Sequence, residues 1–352
     1  MRQLTPILML CAVFAVATKA DVTSLKLDTA GRVIVNDQPA RLWGLRVASA
    51  ATSDESAKRL IDALKGYQSA GINLLLINYQ GGPGGSARTY SADGKQFEDL
   101  AVRDRTRRIL DAAASHDMLV VVTLFYPRQS AATGQDPRLL TRAAYLAACA
   151  TAAAELKDRH NVLICVSDQI LPGAFASCPM KFAPADVIDC LKAVAAVAPN
   201  LPRGGGSSVH DQNLTIAKSD AATVIFHLEP GAAPPRMPPG KPIIHCAFTA
   251  GGADAGRRPQ GFFAPQARQP YLDMVERYAD ATTAHAIAHF PGWTEGAMDT
   301  KNNRFDEGGQ GTQDDPGLAW YFNAVSKHAR RHVPEVADTP KTPDKSIFDN
   351  PK

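Results

Sequence analysis

From Arg41 to Phe290 the chain alternates short, nearly uninterrupted apolar runs with longer stretches whose apolar residues recur at helical spacing. The runs predict strands at Arg41 to Val47, Asn73 to Tyr79, Leu119 to Tyr126, Val162 to Val166, Ser207 to His210, Thr223 to Leu228, Pro242 to Phe248 and His285 to Phe290. Strands apolar on both sides suit a parallel sheet covered on both faces. Between them, Ser53 is placed to cap a helix that carries Leu60, Ile61, Leu64 and Tyr67 on one face and stops at Gly71. Further helices are predicted at Asp99 to Ala114, Thr141 to Lys157, Pro184 to Ala198, Pro265 to Ala281 and Pro316 to Arg331. The fifth connection, Gln212 to Ser219, is short. The sixth, Gly231 to Gly240, holds Pro234, Pro235, Pro238 and Pro239 and cannot be a regular helix. Ahead of the first strand, Leu25 to Leu27 and Arg32 to Val35 flank Thr29-Ala30-Gly31 as a β-hairpin.

This order predicts an α/β fold: a (β/α)8 TIM barrel with an N-terminal β-hairpin and irregular loops after strands 5 and 6. A doubly wound open sheet would place a glycine-rich phosphate turn after the first strand, and Gly44-Leu45-Arg46 does not supply one. The barrel domain is expected over residues 21–333. Met1 to Ala20 has Arg2, an apolar core from Ile7 to Ala17 and a closing Thr18-Lys19-Ala20, the pattern of a secretory signal peptide cut after Ala20. The core is too short for a comfortable bilayer span, and Cys11 follows Leu10 rather than the small residue of a lipoprotein signal. The expected location is therefore secreted or periplasmic. Pro334 to Lys352, rich in Pro, Asp and Lys, reads as a disordered tail.

Charge narrows the partners. The full chain has 38 basic and 35 acidic residues, and loss of Arg2 and Lys19 with the signal leaves it nearly neutral. No basic stripe points to nucleic acid or to an anionic membrane surface. Cys149, Cys165, Cys178, Cys190 and Cys246 follow the signal, and their spacing matches no zinc motif. Export permits disulfides, with Cys178 and Cys190 the first candidates for a bridge and buried free thiols the alternative.

In a barrel of this kind the site lies at the C-terminal ends of the strands. Those ends carry Tyr79-Gln80, Tyr126, Ser167-Asp168-Gln169, His210-Asp211, His227-Leu228-Glu229, His245 and the run His289 to Glu295. Aromatic faces stack on sugar rings, while carboxylates bind hydroxyls and move protons. Tyr79, Tyr126 and Trp293 are the candidate stacking platform. His227, His245, His289 and Glu295 are candidate substrate contacts. Four histidines, with Asp168 or Glu229, would also permit a metal site, but no His-x-His ends the first strand. Imidazoles that bind sugar hydroxyls explain the same residues, so no metal or cofactor is expected.

The segments "VNDQPARLWGLRV", "GINLLLINYQGG" and "RILDAAASHDMLVVVTLFYP" resemble the clan A glycoside hydrolases, the cellulase- and mannanase-like barrels, over roughly residues 30–330. The resemblance implies an Asn-Glu pair ending the fourth strand as general acid/base, a His-x-Tyr on the sixth, a nucleophilic Glu ending the seventh and a Trp on the eighth. His227 and Trp293 fit that pattern. Ser167-Asp168 stands where Asn-Glu is implied, Glu229 replaces the Tyr, and Ala247 stands at the nucleophile position. Retention needs two carboxyl groups about 5–5.5 Å apart, whereas inversion takes about 6.5–9.5 Å. Asp168 as acid and Glu229 as base suit the wider separation. Two readings follow: a secreted glycoside hydrolase with a displaced pair, or a carbohydrate-binding protein on a barrel that has lost its chemistry. Both take an oligo- or polysaccharide as partner.

Overall fold

The computed structural model describes residues 21–47, 50–80, 88–125, 139–167, 178–207, 209–227, 240–245, 265–280, 289–290, 310–312, 314–315 and 317–329. The chain opens with β1 (Leu25–Leu27) and β2 (Val33–Val35), antiparallel with Leu25 opposite Val35. Asp28 holds their turn: its Oδ1 accepts from the backbone N–H of Ala30 at 3.0 Å and of Arg32 at 2.7 Å. A third strand, β3 (Gln38–Pro39), adds to β2 through Asn36 and Asp37, both in the left-handed region with φ 49° and 63°. Asn and Asp tolerate that conformation in two-residue hairpin turns.

The body then alternates strands and helices: β4 (Gly44–Arg46), α1 (Asp54–Ser69), β5 (Leu74–Gln80), α2 (Leu100–Ala114), β6 (Leu119–Phe125), α3 (Arg142–Leu156), β7 (Val162–Ser167) and α4 (Pro184–Val197). There follow β8 (Arg203–Gly204), β9 (Gly206–Ser207), α5 (His210–Ala217), β10 (Ile225–His227), β11 (Ile243–His245), α6 (Pro265–Asp280), β12 (His289–Phe290) and α7 (Ala319–Ala329). The helix starts match their sequence signals. Ser53 Oγ accepts from Ser56 N–H at 3.0 Å, Asp99 Oδ1 from Val102 N–H at 3.0 Å and Thr141 Oγ1 from Ala144 N–H at 3.1 Å. Each such cap is worth about 1 kcal/mol. Pro184 opens α4, where its missing N–H costs nothing.

The main-barrel strands are parallel, in the order β12-β4-β5-β6-β7-β8 and β9-β10-β11. β8 and β9 are two halves of one bent fifth strand, the first pairing with β7 and the second with β10. Seven of the eight neighbour pairings of a closed ring are present, and only β11 with β12 is not found among the described residues. The helices wrap the outside: α7 packs on α1 through Phe322 and Tyr67, with ring centroids 5.6 Å apart, and on α6 through Trp320 and Tyr271 at 6.1 Å. Among the described residues no helix is long and apolar enough to cross a membrane.

The fifth strand corrects the sequence expectation. It occupies Arg203–Ser207 rather than Ser207 to His210, and His210 starts α5 instead of ending a strand. The connection expected to be irregular is therefore a short helix. Glycines make this strand possible. A Cβ on Gly204 would lie 2.1 Å from the Val224 carbonyl oxygen, and one on Gly205 would lie 2.5 Å from Val187 Cγ1 of α4.

Two apolar layers result. Outside the sheet, Leu45, Leu75, Ile77, Val120, Val122, Ile164 and Val166 face the helices. Inside, Leu74, Leu76, Leu119, Val121, Leu163, Cys165, Val224, Phe226 and Ile244 fill the barrel together with Val22, Val33 and Leu42. Each fully buried side chain of this size contributes about 1.5–3 kcal/mol. Because the hairpin residues Leu25, Leu27 and Val35 pack against this inner group, the hairpin plugs the N-terminal end of the barrel. Asn73 ties the same end together: its Oδ1 accepts from Trp43 N–H and its Nδ2 donates to the Arg41 carbonyl, both at 2.8 Å.

One cysteine expectation fails. Cys149, Cys165, Cys178 and Cys190 are all buried free thiols, so Cys178 and Cys190 are not bridged. Cys190 instead donates to the sulfur of Met180 at 3.6 Å. Burial pushes the Cys149 thiol well above its ordinary ionisation range, aided by its contact with Cys190. Cys246 lies outside the described residues.

Candidate functional site

With the N-terminal end plugged, the C-terminal strand ends are where a ligand can approach. The inner layer changes character there. Below that level the interior residues of β5, β6 and β7 are apolar; above it come Asn78, Gln80, Thr123 and Ser167, all at most 1% exposed. Strand register assembles them. Asn78 is the Cα partner of Thr123, which is in turn the partner of the interior residue Cys165. Gln80 and Ser167 lie one interior row further along, each registered with Phe125. On β4, Arg46 is registered with the interior residue Leu76 and is 1% exposed.

These side chains are unusual in what they lack. Asn78 Oδ1, both Oε1 and Nε2 of Gln80, Thr123 Oγ1 and Ser167 Oγ are buried without a hydrogen-bond partner. A buried polar group left so costs about 1–3 kcal/mol. Folded proteins leave few such groups, and a cluster of them in one interior patch calls for an occupant that hydrogen-bonds. Each of these groups is uncharged, and both amides and hydroxyls can donate as well as accept. Such groups can bind and orient a ligand but do not transfer protons at neutral pH.

Tyr79 does not belong to this face. Its neighbours Asn78 and Gln80 point inward, so strand alternation turns Tyr79 outward into the helix-facing layer. There its ring is fully buried, 5.4 Å from Phe97 and 6.4 Å from Tyr90. Burial pushes its phenol far above the ordinary tyrosine range. The expectation of Tyr79 as a stacking platform is thus corrected: the ring is part of an aromatic seam that continues through Phe125, Tyr145 and Phe182.

The other expected residues fall as follows. His227 and His245 are Cα partners at the ends of β10 and β11, and Ser207 of β9 is registered with His227. His289, on β12, is registered with Gly44 of β4. The backbone thus puts these three histidines on strands of the barrel, while His210 heads α5. Asp168 directly follows Ser167, the last residue of β7. Asp168, Glu229, Tyr126, Trp293, Glu295 and Ala247 lie outside the described residues. Sequence reading named Gln80 only as a strand-end residue, without a role, and passed over Asn78 and Thr123. The signal was present: polar residues two apart in "LLLINYQ" and one in "LVVVTLF", within strands otherwise apolar.

No protein-family model matches the chain, and no curated protein matches it. Solved structures do share its fold. An endo-1,4-β-mannanase from Eisenia fetida superposes with a TM-score of 0.57 at 14% identity, covering 88% of this chain and 96% of that one. The β-mannanase of the blue mussel Mytilus edulis gives 0.52 at 16% identity, over 77% of this chain and 91% of that one. A glycoside hydrolase family 5 structure from Bacteroides vulgatus gives 0.51 at 12% identity over 76% of this chain, which spans 62% of its length. With its parallel strands, outer helices and plugged N-terminal end, the chain has the glycoside hydrolase-like barrel fold of the family 5 and β-mannanase structures.

Proposed function

We propose that the chain is an exported glycoside hydrolase-like protein that acts on, or binds, an oligo- or polysaccharide. The observation that carries this reading is the patch of buried, unpartnered polar side chains at the open end of a barrel shared with β-mannanases. A ligand dense in hydroxyl groups supplies the missing hydrogen bonds. β-1,4-Mannan is the first polymer to try, because the similar structures are described as mannanases.

In the catalytic reading, Asp168 protonates the leaving oxygen and Glu229 activates water on the opposite face of the sugar. The bond from the anomeric carbon to the leaving oxygen breaks as the water oxygen bonds to that carbon, with inversion. Ala247 cannot attack a sugar, so no covalent glycosyl intermediate forms at that position. Asp168 must stay protonated to act, which requires a carboxyl that ionises less readily than an ordinary aspartate. His227, His245, His289 and Glu295 hold hydroxyls, while Tyr126 and Trp293 stack on the ring faces. Asp168→Asn removes the proton donor at nearly constant shape. It should abolish release of reducing ends from mannan while leaving affinity unchanged; full activity in that variant overturns Asp168 as the acid.

The second reading is a carbohydrate-binding protein without turnover, favoured by Ala247 at the implied nucleophile position. Binding by the wild type with no cleavage across a broad glycoside panel decides for it. Trp293→Ala should weaken binding in either case, by about 1–3 kcal/mol on calorimetry. An unchanged affinity removes Trp293 from the site.

A further inference from the structure

We infer that Asn78, Gln80, Thr123 and Ser167 form the floor of the ligand site and select an uncharged sugar by its hydroxyl groups. The inference rests on the carbohydrate reading above and adds to it the residues that set specificity.

Three observations support it. The four residues come from three consecutive strands, and register joins them into one interior patch rather than scattered positions. The patch lies above an apolar filling, with Cys165 registered beside Thr123 and Phe125 registered between Gln80 and Ser167. Five of its oxygen and nitrogen atoms have no hydrogen-bond partner among the described residues. Other buried polar groups are of both kinds: Asn73 and Asn161 are anchored to backbone groups at 2.8–3.3 Å, while Thr106 Oγ1 and the Tyr90 hydroxyl are buried without a partner among the described residues, so the clustering of the four is what carries the inference. The floor residues are not anchored in this way.

The chemistry of the patch defines the ligand class. Two amides and two hydroxyls offer mixed donors and acceptors with no charge, matching sugar hydroxyls that both donate and accept. The Gln80 amide and the two hydroxyls could donate to a carboxylate as well, but none of the four carries a charge to offset its desolvation. Arg46, on the neighbouring strand and registered with Leu76, lies outside the four and has a partner of its own. Buried water is the competing occupant, since interior polar groups are often satisfied that way.

The test uses the mature protein with mannohexaose, cellohexaose and hexagalacturonate, by calorimetry alongside thermal unfolding. Gln80→Met, Asn78→Leu and Thr123→Val each replace unpartnered polar atoms with apolar ones of similar size. Each variant should melt no lower than the wild type, yet bind the neutral hexaose about 5- to 100-fold more weakly, because a ligand hydroxyl is left unpaired in a buried site. Should Gln80→Met or Asn78→Leu fail to fold, Thr123→Val, a hydroxyl-to-methyl exchange at constant shape, carries the comparison. Unchanged affinity in a folded Thr123→Val and its companions overturns the inference: the floor then holds only water, while the carbohydrate site stands. Hexagalacturonate binding as tight as that of the neutral hexaoses overturns the ligand class. A wild type that binds none of the probes overturns the carbohydrate reading and the inference together.

Discussion

Within "INYQ", strand alternation separates three neighbouring side chains into two roles. Asn78 and Gln80 turn into the barrel, and Tyr79 turns out among Tyr90 and Phe97. The Tyr79 hydroxyl is buried without a hydrogen-bond partner, so its removal carries little penalty. Tyr79→Phe should leave both oligosaccharide affinity and the denaturation midpoint close to wild type. Tyr79→Ala, by contrast, opens a cavity in a fully buried aromatic seam and should cost about 3–5 kcal/mol in chemical denaturation. A selective loss of sugar affinity in folded Tyr79→Phe would return that ring to the ligand site.

At the level of elements, the fifth strand is held by the absence of side chains. An Ala Cβ at Gly204 would collide with backbone, 2.1 Å from the Val224 carbonyl oxygen, which no rotamer change relieves. Gly204→Ala should therefore destabilise by more than about 2 kcal/mol, in the range of overpacked cores. Gly66, inside α1, is the opposite case: an added Cβ meets nothing within 4 Å. There Gly66→Ala should stabilise by about 0.5–1 kcal/mol through helix propensity and a less flexible unfolded chain. Paired urea melts check the two signs. The same substitution with the same sign at both sites would refute the close approach of Gly204 to Val224.

For the whole molecule, export and sulfur chemistry separate. N-terminal sequencing of the exported protein should begin at or near Asp21, and an intact Met1 on soluble cytoplasmic protein would contradict the signal. Export does not oblige the cysteines to pair. Cys149, Cys178 and Cys190 are each at most 1% exposed and unbridged. Alkylation of the native protein should therefore leave them unlabelled and denaturation should release them, with no Cys178–Cys190 peptide on unreduced mass mapping. Thiolate is the reactive form, and burial disfavours it at Cys149, which slows native labelling of that thiol further. Finding the bridged peptide would overturn the free-thiol assignment.

The sequence by itself determined the alternation of strands and helices, because helix caps and apolar periodicity are local. Ser53, Asp99 and Thr141 each cap the helix their positions announced. It also led to the expectation of a site at the strand ends, which follows from barrel topology alone. Only the tertiary structure decided the rest. The fifth strand was missed because Gly204, Gly205 and Gly206 carry no strand propensity and are chosen by their neighbours Val224, Phe226 and Val187. Cys178 and Cys190 looked pairable from a short separation, but a bridge depends on the directions of the Cβ vectors, which spacing does not contain. Tyr79 was chosen over Asn78 and Gln80 because a strand apolar on both faces does not reveal its inward side. That side was settled by the partners each residue meets, Thr123 across the sheet and Phe97 beneath the helices.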